Sequence, residues 1–191
     1  MLNTRVYQWL NAKNEFKKVL LAFNQPLISR QISKKTGIPA HTCSYVIAKL
    51  ENSGVLICLN SGARSSRLYW LTETGHHYLQ ALYTRQNRTY NKPLLPAMDW
   101  ALYGWACFSH RSAIIKSLTH PMQPSEIKRL FRLQRTHIRI SANNIRDVVR
   151  LLLAKGIVRP VKIRNKAHLR YELTETGIKL RQLLVSADEF R

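Results

Sequence analysis

The sequence is short of acid. Among its 191 residues only ten are Asp or Glu, against 31 Lys and Arg, giving a net charge of +21 and an isoelectric point near 10.6. A compact chain carrying so much like charge repels itself, so the imbalance implies a polyanionic partner. The deficit is spread evenly: residues 1–92 hold 13 basic and 3 acidic side chains, and residues 93–191 hold 18 and 7. That excludes a basic tail on a neutral body, and both halves are expected to meet the partner.

Other absences narrow the field. No apolar run approaches the ~20 residues that span a bilayer, so no membrane partner is expected. Met1-Leu2-Asn3-Thr4-Arg5 does not read as a secretory signal, and the expected location is the cytoplasm, in association with the nucleoid, or the nucleus if the host has one. Cysteine is scarce: Cys43, Cys58 and Cys107 are odd in number and widely spaced. They suit reduced, buried thiols rather than a disulfide frame or a metal knuckle. The acids are scattered without a close pair. There is no phosphate-binding Gly-rich loop, no His-Glu-x-x-His and no Gly-x-Ser-x-Gly, so neither an enzyme nor a cofactor is expected. His76 and His77 are adjacent on an expected helix and point ~100° apart, which makes a poor metal clamp.

What the chain does have is an internal repeat. Leu71-Thr72-Glu73-Thr74-Gly75 recurs as Leu173-Thr174-Glu175-Thr176-Gly177, an offset of 102. At the same offset Gly54-Val55-Leu56 meets Gly156-Ile157-Val158, and Cys43, Val46, Ile47 and Leu50 meet Ile145, Val148, Val149 and Leu152. Those four positions are the i, i+3, i+4, i+7 stripe of a helix facing a core. Earlier in each half the offset is 95, aligning Val19, Leu20, Phe23, Pro26, Leu27 and Ile32 with Ile114, Ile115, Leu118, Pro121, Met122 and Ile127. The second copy therefore carries an insertion around Leu133 to Ile140.

Within one copy, helical spacing runs from about Arg5 to Phe23 and stops at Asn24-Gln25-Pro26. Ser29 is the expected N-cap of a short helix through Thr36. Gly37-Ile38-Pro39 turns the chain into a helix from about Ala40 to Asn52, ended by Ser53-Gly54. Val55 to Asn60 and Arg67 to Leu71 read as a hairpin, and Thr72 caps a last helix through about Tyr83. A short helix, a turn and a helix with exposed polar residues is the DNA-reading unit of helix-turn-helix proteins.

Gly37-Ile38-Pro39, Leu50…Gly54-Val55-Leu56 and Tyr69 to Gly75, with Leu152…Gly156-Ile157-Val158 and Tyr171 to Gly177, carry a resemblance. Each half resembles the winged-helix domains of the MarR, PadR and ArsR groups of regulators. The resemblance implies a mainly α chain with small β-hairpin wings (α+β), arranged as two tandem winged-helix domains. The expected division is domain one at 1–84, a basic and Pro-containing linker at 85–97, and domain two at 98–191. Residues 98–109 are rich in aromatics (Trp100, Tyr103, Trp105, Phe108) and are expected to form the first helix of domain two. A packing role between domains, or contact with a second copy or a protein partner, remains open there.

The double-stranded DNA partner implied by charge and resemblance assigns candidate contacts. On the first reading helix these are His41, Thr42, Ser44, Tyr45 and Lys49. On the second they are Asn143, Asn144, Arg146 and Arg150, a face that looks better equipped to read bases because Asn suits adenine and Arg suits guanine. Asp147 on the same face would repel phosphate unless it orients a neighbouring Arg or accepts from a cytosine amino group. The hairpin tips add Arg64, Ser65 and Arg67, and Arg164, Asn165, Lys166 and His168, suited to phosphates or the minor groove. The expected function is sequence-specific transcription regulation, as a repressor. A replication, partition or recombination factor of a mobile element is the alternative, and an RNA- or protein-binding module a further one.

Overall fold

A computed structural model describes residues 4–133, 139–162 and 168–189. It is mixed α+β, mostly helical, with two small antiparallel sheets. The chain divides into two compact units, one running to Gly104 and the other spanning Trp105–Glu189.

In the first unit, α1 (Thr4–Ala12) and α2 (Asn14–Leu21) occupy the stretch expected to be one helix. The break is at Lys13, whose extended backbone (φ −129°, ψ 111°) leaves the helical region. β1 (Leu27–Ile28) follows, then α3 (Ser29–Thr36) and α4 (Ala40–Asn52) around the Gly37–Pro39 turn. Ser29 is not the cap of α3. Ile28 holds the N-cap position, its N–H donating to the Gln31 side chain at 2.9 Å, while the Ser29 hydroxyl pairs with that of Ser44 at 3.1 Å. The hairpin is β2 (Leu56–Cys58) and β3 (Leu68–Leu71), and β1 pairs with the other edge of β3 to give the order β1-β3-β2. That third strand has only two residues, too few for a sequence period to reveal it.

The expected stripe holds. Cys43, Val46, Ile47 and Leu50 are all buried, α4 packs against α2, whose Phe16, Val19 and Leu20 are buried too, and Ile32, Leu68 and Leu79 belong to the same unit's core. Each large aliphatic side chain so buried contributes about 1.5–3 kcal/mol. α5 (Glu73–Thr84) ends the repeat unit. Beyond it Tyr90 and Lys92 are fastened back onto α5: the Tyr90 hydroxyl lies 2.6 Å from His76 Nδ1, and Lys92 Nζ lies 2.5 Å from Glu73 Oε1. The boundary between the units falls inside α6 (Trp100–Ala106), past the linker expected at 85–97.

The second unit holds α7 (Ser109–Ser117), α8 (Pro124–Leu133), α9 (Ala142–Ala154), β4 (Val158–Val161), β5 (Arg170–Leu173) and α10 (Glu175–Ser186). Residues 134–138, where most of the insertion falls, lie outside the described residues. The register found in the sequence reappears in space. α4 and α9, β3 and β5, and α5 and α10 have bounds that differ throughout by the offset of 102. Leu27 pairs with Tyr69 in one unit and Met122 with Tyr171 in the other, combining the two offsets.

The repeated Leu-Thr-Glu-Thr-Gly is a joint. Thr72 accepts from Gly75 N–H at 3.1 Å and donates to Gly54 carbonyl at 2.6 Å; Thr174 accepts from Gly177 at 3.2 Å and donates to Gly156 at 2.7 Å. One hydroxyl thus caps the last helix and ties it to the exit of the helix before the hairpin. Gly54 and Gly156 sit at that exit with φ +69° and +65°, where other residues are strained. A Cβ on Gly75 would lie 2.3 Å from Val55 carbonyl oxygen, and one on Gly177 2.2 Å from that of Ile157. No side chain larger than hydrogen fits either place without moving the backbone.

Candidate nucleic-acid interface

The charge surplus becomes sharper in three dimensions. Among the described residues seven acids stand in ion pairs: Glu51–Arg67, Glu73–Lys92, Glu126–Arg170, Asp147–Arg150, Glu172–Arg159, Glu175–Lys179 and Asp188–Lys116. The cations that remain without an acidic partner among the described residues include Arg30, Lys49, Arg64 and Arg146, all exposed. Arg30 was not among the residues expected from sequence. Its place on α3 beside α4 depends on the turn geometry, which residue type alone does not reveal.

α4 is held by its buried stripe, so its other face is turned outward. His41, Ser44, Tyr45, Ala48 and Lys49 are exposed, and Thr42 is half-buried. Tyr45 is 53% exposed, and Lys49 Nζ lies 5.8 Å from its ring centroid. Ser44 is partly committed, donating to Ala40 carbonyl at 3.0 Å besides pairing with Ser29. Pro39 stands at the N-cap of α4 and offers no side-chain cap. A hollow of about 210 Å³ opens at that end, lined by Glu15, Lys18, Thr36 and Thr42 among others.

The hairpin beside α4 is braced from inside. Asn60 is buried, with Oδ1 accepting from Leu68 N–H at 2.7 Å and Nδ2 donating to Ser66 carbonyl at 3.1 Å. These bonds close the loop so that Arg64 and Ser65 stand exposed at its tip. Arg67 is placed differently from the other candidates. Its guanidinium donates to Glu51 of α4 at 3.0 Å and lies 5.6 Å from the Tyr69 ring centroid, so it fastens hairpin to helix.

On α9 the four candidates are engaged unequally. Asn144 is half-buried, its amide 3.0 Å from His110 Nδ1 on α7, and its N–H donates to the capping Ser141. Asn143 accepts from Arg146 at 3.1 Å, and Arg150 donates to Asp147 at 3.3 Å. His168 is exposed, while Arg164, Asn165 and Lys166 lie outside the described residues.

Other polar groups are turned to structure. Arg111 lies 4.0 Å from the Trp105 ring centroid and donates to Trp105 carbonyl, and burial lowers its pKa from the ordinary value. Burial likewise lowers that of Lys35, which donates to Asn24 at 2.8 Å. His76 is buried against Trp70 and Tyr90. Burial first, and the Lys92 charge second, hold it below its ordinary pKa, and the Tyr90 phenol is pushed up to about 12, chiefly by burial. No group of three His, Cys, Asp or Glu side chains among the described residues could hold a metal ion, and the three cysteines are free thiols. No helix among them is long and apolar enough to cross a membrane. No protein-family model and no curated protein matches the chain.

Proposed function

We propose that the chain is a double-stranded-DNA-binding regulator built from two tandem winged-helix units, acting by occupying its site. The observation that carries this reading is the doubled placement of an exposed helix, α4 or α9, beside a two-stranded hairpin in a chain with a charge of +21. Small and polar side chains on a helix suit the width of the major groove, and cations at a hairpin tip suit phosphate or the minor groove. Each unit supplies one helix and one hairpin, so a single chain covers two stretches of duplex. The covalent connection raises the effective concentration of the second unit once the first is bound.

Titration of labelled random duplexes and of single-stranded RNA with the full chain tests this. Duplex is expected to bind more tightly. If six phosphates are met, affinity should fall roughly 10³-fold between about 50 and about 200 mM salt. Preference for single-stranded RNA, or duplex affinity indifferent to salt, would overturn the reading. Selection from random duplexes then separates a regulator from a replication or partition factor by the arrangement of recovered sites.

A further inference from the structure

We infer that base discrimination is concentrated in the first unit, on His41, Thr42 and Tyr45 of α4, while α9 serves as a sequence-neutral phosphate clamp through Arg146 and Arg150. This rests on duplex binding as proposed above. It reverses the ranking of the two faces that residue types alone suggest.

The two helices correspond position by position at the offset of 102, so their outer faces can be compared directly. His41 corresponds to Asn143, Thr42 to Asn144, Tyr45 to Asp147, Ala48 to Arg150 and Lys49 to Leu151. Of the two Asn residues that would read adenine, Asn144 is bonded inward to His110, while Asn143 is exposed and meets only Arg146. The Asn143–Arg146 and Asp147–Arg150 contacts join exposed groups one helical turn apart, and each is worth only about 0.3–0.5 kcal/mol. Phosphate can therefore recruit both Arg side chains at little cost, whereas freeing Asn144 breaks a half-buried hydrogen bond. Asp147 adds a carboxylate, its side chain 64% exposed, to the middle of the face. Once Arg150 turns from it to phosphate, that carboxylate is unpaired and works against the closer approach that reading base edges needs.

α4 has no such obstacles. Among the described residues no hydrogen-bond partner engages the side chains of His41 or Thr42, and the Tyr45 ring stands out beside Lys49. Ala48 leaves room on the same face. The carboxylate of this helix, Glu51, is at its far end and is neutralised by Arg67. Imidazole and hydroxyl groups can donate to and accept from base edges, and the Tyr45 ring can pack on a thymine methyl. The helix and its hairpin are also fixed to one another by that Glu51–Arg67 pair. Its counterparts in the second unit are Leu153 and Leu169, which cannot form one.

The test uses the full chain in three forms: unaltered, His41→Ala/Tyr45→Ala, and Arg146→Ala/Arg150→Ala. Each is put through selection from random duplexes, followed by affinities for the preferred and a scrambled duplex. All four altered side chains are exposed, so the cores remain intact. The α4 variant should lower the preferred-to-scrambled ratio by about tenfold or more with little change on scrambled DNA. The α9 variant should weaken both duplexes alike and reduce the salt slope by about two. Loss of the ratio in the α9 variant, equal loss in both, or an unaltered chain that binds duplex without preference would overturn this assignment alone. An unaltered chain that holds no duplex would overturn duplex binding itself, and this assignment with it.

Discussion

The two units share a frame and differ in what they do with it. In each, a Thr hydroxyl joins the last helix to the exit of the helix before the hairpin, a Gly lets a carbonyl approach, and a four-residue stripe fills the core. Outside that frame the correspondence fails. The first unit has an aromatic ring, an imidazole and a Glu–Arg tie where the second has a carboxylate, an Asn and two exposed leucines. Positions inside the frame are set by packing and backbone geometry common to both units. Positions outside it were free to take up different chemistry.

The comparison can be broken first at the shared joint. Gly75→Ala and Gly177→Ala should each destabilise their own unit by about 3 kcal/mol, since the added carbon meets backbone rather than a flexible side chain. Urea unfolding of the two variants reads this, and a large difference between them would mean that the joints are not equivalent. Asn60→Ala should cost roughly 2 kcal/mol by leaving Leu68 N–H and Ser66 carbonyl without their partner. The corresponding Lys162→Ala is exposed and should be nearly silent in the same assay.

A smaller effect sharpens the contrast between the helices. Asn144→Ala should lower stability by about 1 kcal/mol through the lost bond to His110, and leave the ratio of preferred to scrambled duplex unchanged. A fall in that ratio with stability intact would return Asn144 to the reading face. The least effect concerns the first unit alone. Because burial holds His76 below the ordinary 6.5, protons bind the unfolded chain before the folded one as pH falls. The His76 contribution should be whole above about pH 6.5 and decline below it. His76→Gln should reduce the drop in Tm between about pH 7.5 and about 5.5, and a variant with the wild-type drop would assign acid sensitivity elsewhere.

Much of the frame was legible in the sequence because it follows from local rules. The Gly residues, the Thr caps and the apolar stripes announce themselves through spacing, and the ends of α4 were read correctly from Pro39 and Gly54. The break at Lys13 and the strand at Leu27–Ile28 were not legible, since neither alters the apolar pattern. The candidate interface was legible only as a set of residues. That Arg67 turns back to Glu51 and Asn144 to His110 depends on partners 16 and 34 residues away, across a fold that spacing does not specify. The fastening of Tyr90 to His76 is illegible for the same reason, since by composition residues 85–97 read only as a connector.

The joint built on Thr72 and Gly75 has a consequence for recombining the chain with itself. Its partners lie at one constant separation from those built on Thr174 and Gly177, so cassettes cut at residues 40–84 and 142–186 would carry matching couplings at the helix exit and cap. A chimaera carrying the first cassette twice would keep each coupling while presenting the same outer surface from both positions.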